Sequence, residues 1–454
     1  MNISEVILNV KALGFDTVIY QSDIKTEEDV KTYREKGYMV ELTEEQFKEK
    51  FPVDPSCVAY SPSISHGSFY FNRDTLAALP LHLEFLMMGM GDYKEQLPIV
   101  VRERENEVAQ DDYLGSISSL SDSMKIEYFN LLIEKKGSRV KNLYDLFFSV
   151  YTSSDFGFKG ITPENFELIV STKTKKDKLK TQKQLKDLPE TLTIYRGEGS
   201  HSTATNKAYS WTLDINMANF FACRLGMEEA QIITARVNKD KVIDCFIKDS
   251  NEQEIIVKPS DVEIVGIQTL RGLGELEAIF PAVIETYKDY REKLYTLDFA
   301  QDSSVHGKEH TARVLLLSLI LSELLNLSQS DRKLLSTAAI YHDTKRVNDN
   351  VDIEHGYHSS QYYQSHIQKP DPTVSFLIEY HCRPDDEGFE EIKRNRVLSK
   401  NRTKSQLLFN LFKDADALDR VRFGLLDLDL NQLRLPESKS LPLIARICLE
   451  QLKI

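Results

Sequence analysis

The chain has 454 residues, enough for two or three domains that each bury a core, and its 41% hydrophobic and 28% charged residues are ordinary for a soluble protein. A net charge of −13 argues against general attraction to nucleic acid or anionic membranes, while leaving room for a local basic groove. The five cysteines (Cys57, Cys223, Cys245, Cys382 and Cys448) are scattered and contain no CxxC pair, a pattern that suits a reducing cytosol and offers no cysteine zinc site.

Residues 1–5 carry no basic stretch leading into an apolar run, so no secretory signal is expected. Residues 1–120 read as mixed α/β, with short apolar runs at 17–20 and 58–60 between charged helical stretches; they carry no motif, and their role is unknown. From about 114 to 185 the pattern turns helical, for example over 124–135 and Leu143–Tyr151. Seven lysines fall between Lys173 and Lys186. Such a run is usually a solvated helix face; its sharper alternative is a contact for RNA, DNA or another anionic partner. Residues 190–270 are rich in β-branched runs separated by turn formers, at 191–195, 231–237 and 254–258. After about Pro281 long helical stripes dominate, which places a boundary near 285–300. The longest apolar run, 314–325, is too short for a bilayer and is broken by Ser318, Ser322 and Glu323. A cytoplasmic protein with no membrane partner is expected.

Four pieces stand out in the last 160 or so residues: His306-Gly-Lys-Glu-His310-Thr-Ala-Arg313, Tyr341-His342-Asp343, Glu354-His355-Gly356 and Lys413-Asp414-Ala-Asp416-Ala-Leu-Asp419, with His381 lying between the last two. Leu335, Ala338, Ala339 and His342 follow i, i+3, i+4, i+7, which puts His342 on an apolar helix face. His310, Val314, Leu317 and Leu321 do the same, and Phe409, Phe412 and Asp416 share a face. One buried histidine is more often a satisfied core residue than a ligand. Several inward imidazoles and carboxylates without a shared partner would each cost on the order of 1–3 kcal/mol or more. A common first-row ion (Mn, Fe, Co, Ni or Zn) suits that mixed donor set.

These motifs resemble the HD superfamily of metal-dependent phosphohydrolases, over about 295–454. The resemblance implies an all-α domain with His310, the His342-Asp343 pair and Asp416 as primary ligands. Asp416 rather than Asp414 matches the family's Ala-Asp-x-Leu context. His355 and His381 stand where binuclear relatives hold a second metal, so one or two ions are expected. Relatives often carry glycine where this chain has Lys345; Arg346 still fills the basic position that could hold a phosphate oxygen. The implied reaction is hydrolysis of a phosphate ester in a nucleotide-like substrate.

A second set comprises Tyr195-Arg196-Gly197, Ser210-Trp211-Thr212 and Glu252-Gln253-Glu254, each at the edge of an expected strand, with Phe220-Phe221-Ala222 on a short helix after the serine motif. Each piece alone is more often a turn or a solvated edge. In this order and context they resemble the Arg–Ser–Glu class of ADP-ribosyltransferases, over about 140–275. That resemblance implies a split β-sandwich with helices and NAD as co-substrate, bound by Tyr195, Arg196, Gly197, Ser210, Thr212 and Phe221. Glu254 would stabilise the positive charge that develops on the ribose, and Ser210 would orient Glu254. Glu252, two residues earlier, leans towards an arginine acceptor on a protein, with nucleic acid and small molecules open.

The expected protein is multidomain α+β: an N-terminal region (1–120), a transferase domain (121–285) and an HD domain (295–454). The expected function is bifunctional. The alternatives are a toxin or effector transferase with a regulatory HD domain, or an HD hydrolase with a non-catalytic NAD- or nucleotide-sensing domain.

Overall fold

The structure, a computed structural model, describes residues 18–62, 67–81, 93–152, 160–248, 251–301 and 305–451. Residues 1–5, weighed above as a leader, and Thr17 lie outside the described residues. Contacts divide the described residues into two compact units, the first ending at Asp187 and the second beginning at Leu188. Both antiparallel sheets, one in each unit, precede a C-terminal stretch that is helical.

The first unit holds β1 (Ile19–Tyr20), α1 (Glu27–Glu35), α2 (Glu44–Lys50), β2 (Val58–Tyr60), β3 (Ser68–Phe71) and β4 (Ala78–Leu81). The helices α3 (Tyr93–Ala109), α4 (Leu114–Ser118), α5 (Asp122–Lys136), α6 (Leu143–Tyr151), α7 (Pro163–Ser171) and α8 (Lys175–Leu185) follow. The four strands pair in sequence order as an antiparallel meander. Local signals set the helix starts: Thr26 with Asp29, Thr43 with Gln46 and Thr174 with Asp177 form reciprocal capping boxes that satisfy orphan N–H groups. Most of the lysine run forms α8, whose Thr181 and Leu185 are buried while Lys175, Lys176 and Lys183 are exposed, as a solvated face requires; Lys173, before the helix, is instead buried and donates to Thr181 (2.6 Å).

The second unit opens with β5 (Thr191–Glu198), β6 (Ser210–Thr212), α9 (Ile215–Cys223), β7 (Ala230–Asn238), β8 (Asp244–Phe246), β9 (Glu254–Ile256) and β10 (Glu263–Leu270). The six strands form one hydrogen-bonded series, β10-β7-β5-β6-β9-β8. Its narrowest seam is between β5 and β6, which share the single register pair Tyr195↔Thr212, whereas β5 and β7 pair along their whole length. Gly197 sits where α9 crosses β5: a Cβ there would lie 2.0 Å from the Ala218 carbonyl oxygen and 2.5 Å from the Ala222 nitrogen. Only glycine permits that approach.

The helical part comprises α10 (Leu273–Thr296), α11 (Lys308–Leu324), α12 (Gln329–Tyr341), α13 (His355–His366), α14 (Pro372–Tyr380), α15 (Asp385–Arg394), α16 (Arg402–Leu418), α17 (Pro436–Lys439) and α18 (Pro442–Gln451). The change of character near Pro281 falls inside α10, which continues to Thr296. Sheet and bundle share one apolar core, running from Ala218, Ala222, Ile232 and Leu270 through Leu276 and Phe280 to Leu315, Leu377, Phe412 and Ile444. Polar ties reinforce it. The Asn216 amide donates to Asp429 (3.0 Å) and accepts from the Leu430 N–H (2.9 Å), and Arg271 reaches Ser440. Among the described residues, no helix is long and apolar enough to cross a membrane.

Candidate metal centre

The helical part brings its chemistry together at helix ends. His310 lies in the first turn of α11, His342 and His381 close the C-terminal ends of α12 and α14, His355 opens α13, and Asp416 lies in the last turn of α16. The negative ends of the helix dipoles of α12 and α14 favour positive charge where His342 and His381 sit. All four imidazoles and Asp343 are buried, and Asp416 is partly exposed.

Each histidine is oriented by its Nδ1. That of His342 donates to the Ala339 carbonyl (2.7 Å), that of His381 to Ile378 (2.7 Å) and that of His355 to Asp352 (2.5 Å), each three residues back. His310 donates instead to the Asp419 carboxylate (2.7 Å), which Arg313 also grips at 2.6 and 3.1 Å. A carbonyl cannot donate, so these bonds place the proton on Nδ1 and leave the Nε2 lone pair able to coordinate.

The Nε2 atoms then converge. Those of His310 and His342 are 3.3 Å apart, and those of His355 and His381 are 2.9 Å apart. Asp343 stands between the pairs. Its Oδ2 faces His310 (3.6 Å) and His342 (3.7 Å), and its Oδ1 faces His355 (3.0 Å) and His381 (3.5 Å). Oδ1 is buried yet makes no well-formed hydrogen bond. Asp416 completes the first pair, 3.2 Å from His310 Nε2. Lone pairs pointed at one another across 3 Å repel unless a proton or a cation lies between them.

Electrostatics agree. Burial disfavours charge on every imidazole, and at His342 it wins, lowering the pKa to about 4. At the others burial is outweighed: Asp416 and Asp419 raise His310, Asp343 raises His355 to about 10, and Cys382 with Asp343 raises His381. Burial likewise opposes ionisation of Asp343, yet His342 and the neighbouring imidazoles hold it well below the usual carboxylate range. The cluster therefore recruits positive charge. The triads His310/His342/Asp416 and His342/Asp343/His381 each keep their ligand atoms within 4.8 Å of one another, so a divalent ion fits this donor set.

Neighbouring motif residues go elsewhere. Both oxygens of Asp414 accept from the Arg434 and Leu435 N–H groups at 2.8–3.0 Å, which ties α16 to the approach to α17. Lys345 turns away from the cluster to Asp298 (2.8 Å) and lies 4.0 Å above the Tyr362 ring. Arg346 donates to the Asn348 (3.0 Å) and Asn350 (2.8 Å) carbonyls, bracing the loop before α13, with Nη1 3.4 Å from the His355 ring. Four residues around the site had no role from sequence: Asp419, Arg422, His306 and Cys382. Asp419 lies one helical turn after Asp416. His306 Nδ1 is 3.4 Å from Asp343 and 3.1 Å from Arg422. Burial opposes ionisation of the Cys382 thiol, but His381 and His355 bring its pKa down to about 7.

The strand-edge set also assembles. The Ser210 hydroxyl donates to the Glu254 carboxylate across the β6–β9 pairing, and Thr212 Oγ1 donates to the Glu252 carbonyl (2.6 Å). Gln253 adopts a left-handed φ of 48°, so Glu252 stays exposed while Glu254 turns inward and is buried. Arg196 spans the seam from β5, donating to the Ser210 (2.9 Å) and Thr203 (2.8 Å) carbonyls. Tyr195 lies opposite Thr212, and Phe221 on α9 packs edge-on against Phe220 with Arg224 4.7 Å from its ring.

Residues 307–421 match the family model described as HD domain, a span that holds His310, His342, Asp343, His355, His381 and Asp416. No curated protein and no solved structure matches the chain. The matched segment is thus an HD domain, which suggests metal-dependent phosphohydrolase activity, and the six-stranded sheet lies outside it.

Proposed function

We propose that the helical part hydrolyses a phosphate ester of a nucleotide-like substrate. His310, His342, Asp343 and Asp416 would hold one divalent transition ion, and His355 and His381 would share Asp343 with a second. The observation that carries this reading is the convergence of four Nε2 atoms on Asp343, each imidazole fixed through its Nδ1. The bound ion would supply an activated water and polarise the phosphoryl oxygen. Asp419 keeps the His310 proton on Nδ1 and so keeps Nε2 available. Arg346 holds the loop that leads into α13, with its guanidinium beside His355, where it could meet a phosphate oxygen. The test is release of phosphate or nucleotide from a panel of nucleotides and p-nitrophenyl phosphate esters. It is run with Mn, Co, Ni and Zn on the chelator-treated protein, beside His342→Ala. Turnover that ignores both the metal and the substitution would overturn the reading.

A second reading concerns the sheet, and the Ser210–Glu254 hydrogen bond favours it. There the proposal is NAD-dependent ADP-ribosyl transfer, in a domain over 121–285, to a macromolecular acceptor with arginine on a protein favoured. Glu254 would face the developing ribose cation, Ser210 would orient it, and Tyr195, Arg196, Gly197, Thr212 and Phe221 would line the dinucleotide site. Exposed Glu252 would meet the acceptor. Labelled NAD with a lysate tests this beside Glu254→Gln: label that persists in the variant, or no nicotinamide release from the wild type, would sink it.

A further inference from the structure

The imidazoles and carboxylates assigned to hydrolysis leave a sulfur donor, Cys382, at the rim of the cluster without a task. Cys382 follows His381 directly, at the C-terminal end of α14. We propose that Cys382 is a metal ligand, its thiolate joining His355 and His381 in a soft nitrogen–sulfur position beside the harder His310/His342/Asp416 position. The proposal rests on the metal-dependent reading above and adds to it the character of the second position.

Three observations support it. One ligand atom from each of His355, His381 and Cys382 lies within 4.8 Å of the other two, the same closeness as in the His310/His342/Asp416 triad. Cys382 Sγ faces His355 and the Gly356 backbone, and the acceptors of its own weak S–H donor are the Ile353 carbonyl at 3.4 Å and the Glu379 carbonyl at 4.0 Å. The third is Gly356, one residue after His355. A Cβ there would lie 2.9 Å from Cys382 Sγ, 2.6 Å from the Glu379 carbonyl oxygen and 2.8 Å from that of Ile378. Glycine lets the first turn of α13 settle on the last turn of α14, and that approach closes His355 onto Cys382.

Coordination would convert the Cys382 thiol to a thiolate, with the proton leaving to solvent as the metal–sulfur bond forms. Thiolate donors favour zinc and other soft or borderline ions over magnesium and manganese. The two positions would therefore differ in preference, with Asp343 offering one oxygen to each side.

The test is a cobalt(II) titration of the full-length, chelator-treated protein followed by absorption. The expected result is visible d–d bands together with a near-ultraviolet thiolate-to-cobalt charge-transfer band, and loss of the charge-transfer band alone in Cys382→Ser. Visible bands without a thiolate band in the wild type, or a thiolate band that survives in Cys382→Ser, would overturn the proposal and leave the hydrolase reading standing. Absence of any cobalt binding would overturn both. Should Cys382→Ser fail to fold, alkylation of the wild type decides. Zinc or cobalt is expected to abolish iodoacetamide labelling at Cys382, mapped by peptide mass, without changing labelling at the partly exposed Cys57. Equal labelling of Cys382 with and without metal would overturn the assignment.

Discussion

The sheet and the bundle of the second unit build their polar sites in opposite ways. At the strand edges the hydroxyls and the guanidinium reach protein acceptors: Ser210 meets Glu254, Thr212 the Glu252 carbonyl, and Arg196, through Nη1 and Nη2, the Ser210 and Thr203 carbonyls. In the bundle the protein satisfies one face of each imidazole and aims the other at a like neighbour, around a buried carboxylate oxygen with no well-formed hydrogen bond. A cluster that is electrostatically incomplete declares the charge it lacks, whereas one whose groups already hold one another shows order and names no ligand.

The largest expected effects break this contrast outright. Replacing Asp343 with Ala removes the carboxylate between the two imidazole pairs. If the ion supplies several kcal/mol of transition-state stabilisation, hydrolysis should fall by about 10³-fold or more, with loss of bound metal by elemental analysis. Glu254→Gln should reduce nicotinamide release from NAD by about 10²–10³-fold, the scale for deleting one group that stabilises transition-state charge, while metal content stays unchanged. Metal loss in the Glu254 variant would show that the shared core transmits damage between the sites. Next comes Asp419→Asn, which keeps an acceptor near His310 but removes the charge that Arg313 also grips; metal affinity should drop by about 10–100-fold in a competition titration.

The cluster in the bundle was legible because its residues announce themselves locally. His342-Asp343 is contiguous, and His310, His342 and Asp416 each fall on a helical face whose period is visible in the sequence. What escaped notice acts through space. Asp419 matters because it meets a histidine 109 positions earlier, and the direction Lys345 takes, away from the cluster, is set by Asp298 and the Tyr362 ring. The same reason hid the common core. Ala218, Leu270 and Ile444 are ordinary apolar residues, and nothing in their spacing shows that the strands before α10 and the helices after it share a core; α10 itself ends at Thr296, within the 285–300 boundary expected from composition. The strands β6, β8 and β9 have three residues each, too short for periodicity to reveal: β9 lies in the β-branched run at 254–258 and β6 carries the serine motif, whereas nothing in the sequence marks β8.

The smallest expected effects sharpen the comparison at the joint between sheet and bundle. Gly197→Ala would drive a methyl into the backbone of α9, and such overpacking typically destabilises by about 1–3 kcal/mol. In a unit of this size each kcal/mol corresponds to roughly 2–4 °C in Tm. Asn216→Ala removes a milder tie, the amide that meets both Asp429 and the Leu430 N–H, and should cost about 1 kcal/mol. Gly197 packs against α9 and Asn216 lies in its first turn; α9 follows the strand carrying Ser210 and rests on the core that also holds His342's neighbours Ala338 and Ala339. If sheet and bundle unfold as one body, either substitution should lower a single calorimetric transition, and added zinc should raise that same transition. Two separate transitions, with zinc moving only one, would mean that the shared core is no barrier to independent unfolding and that the two chemistries are mechanically separate.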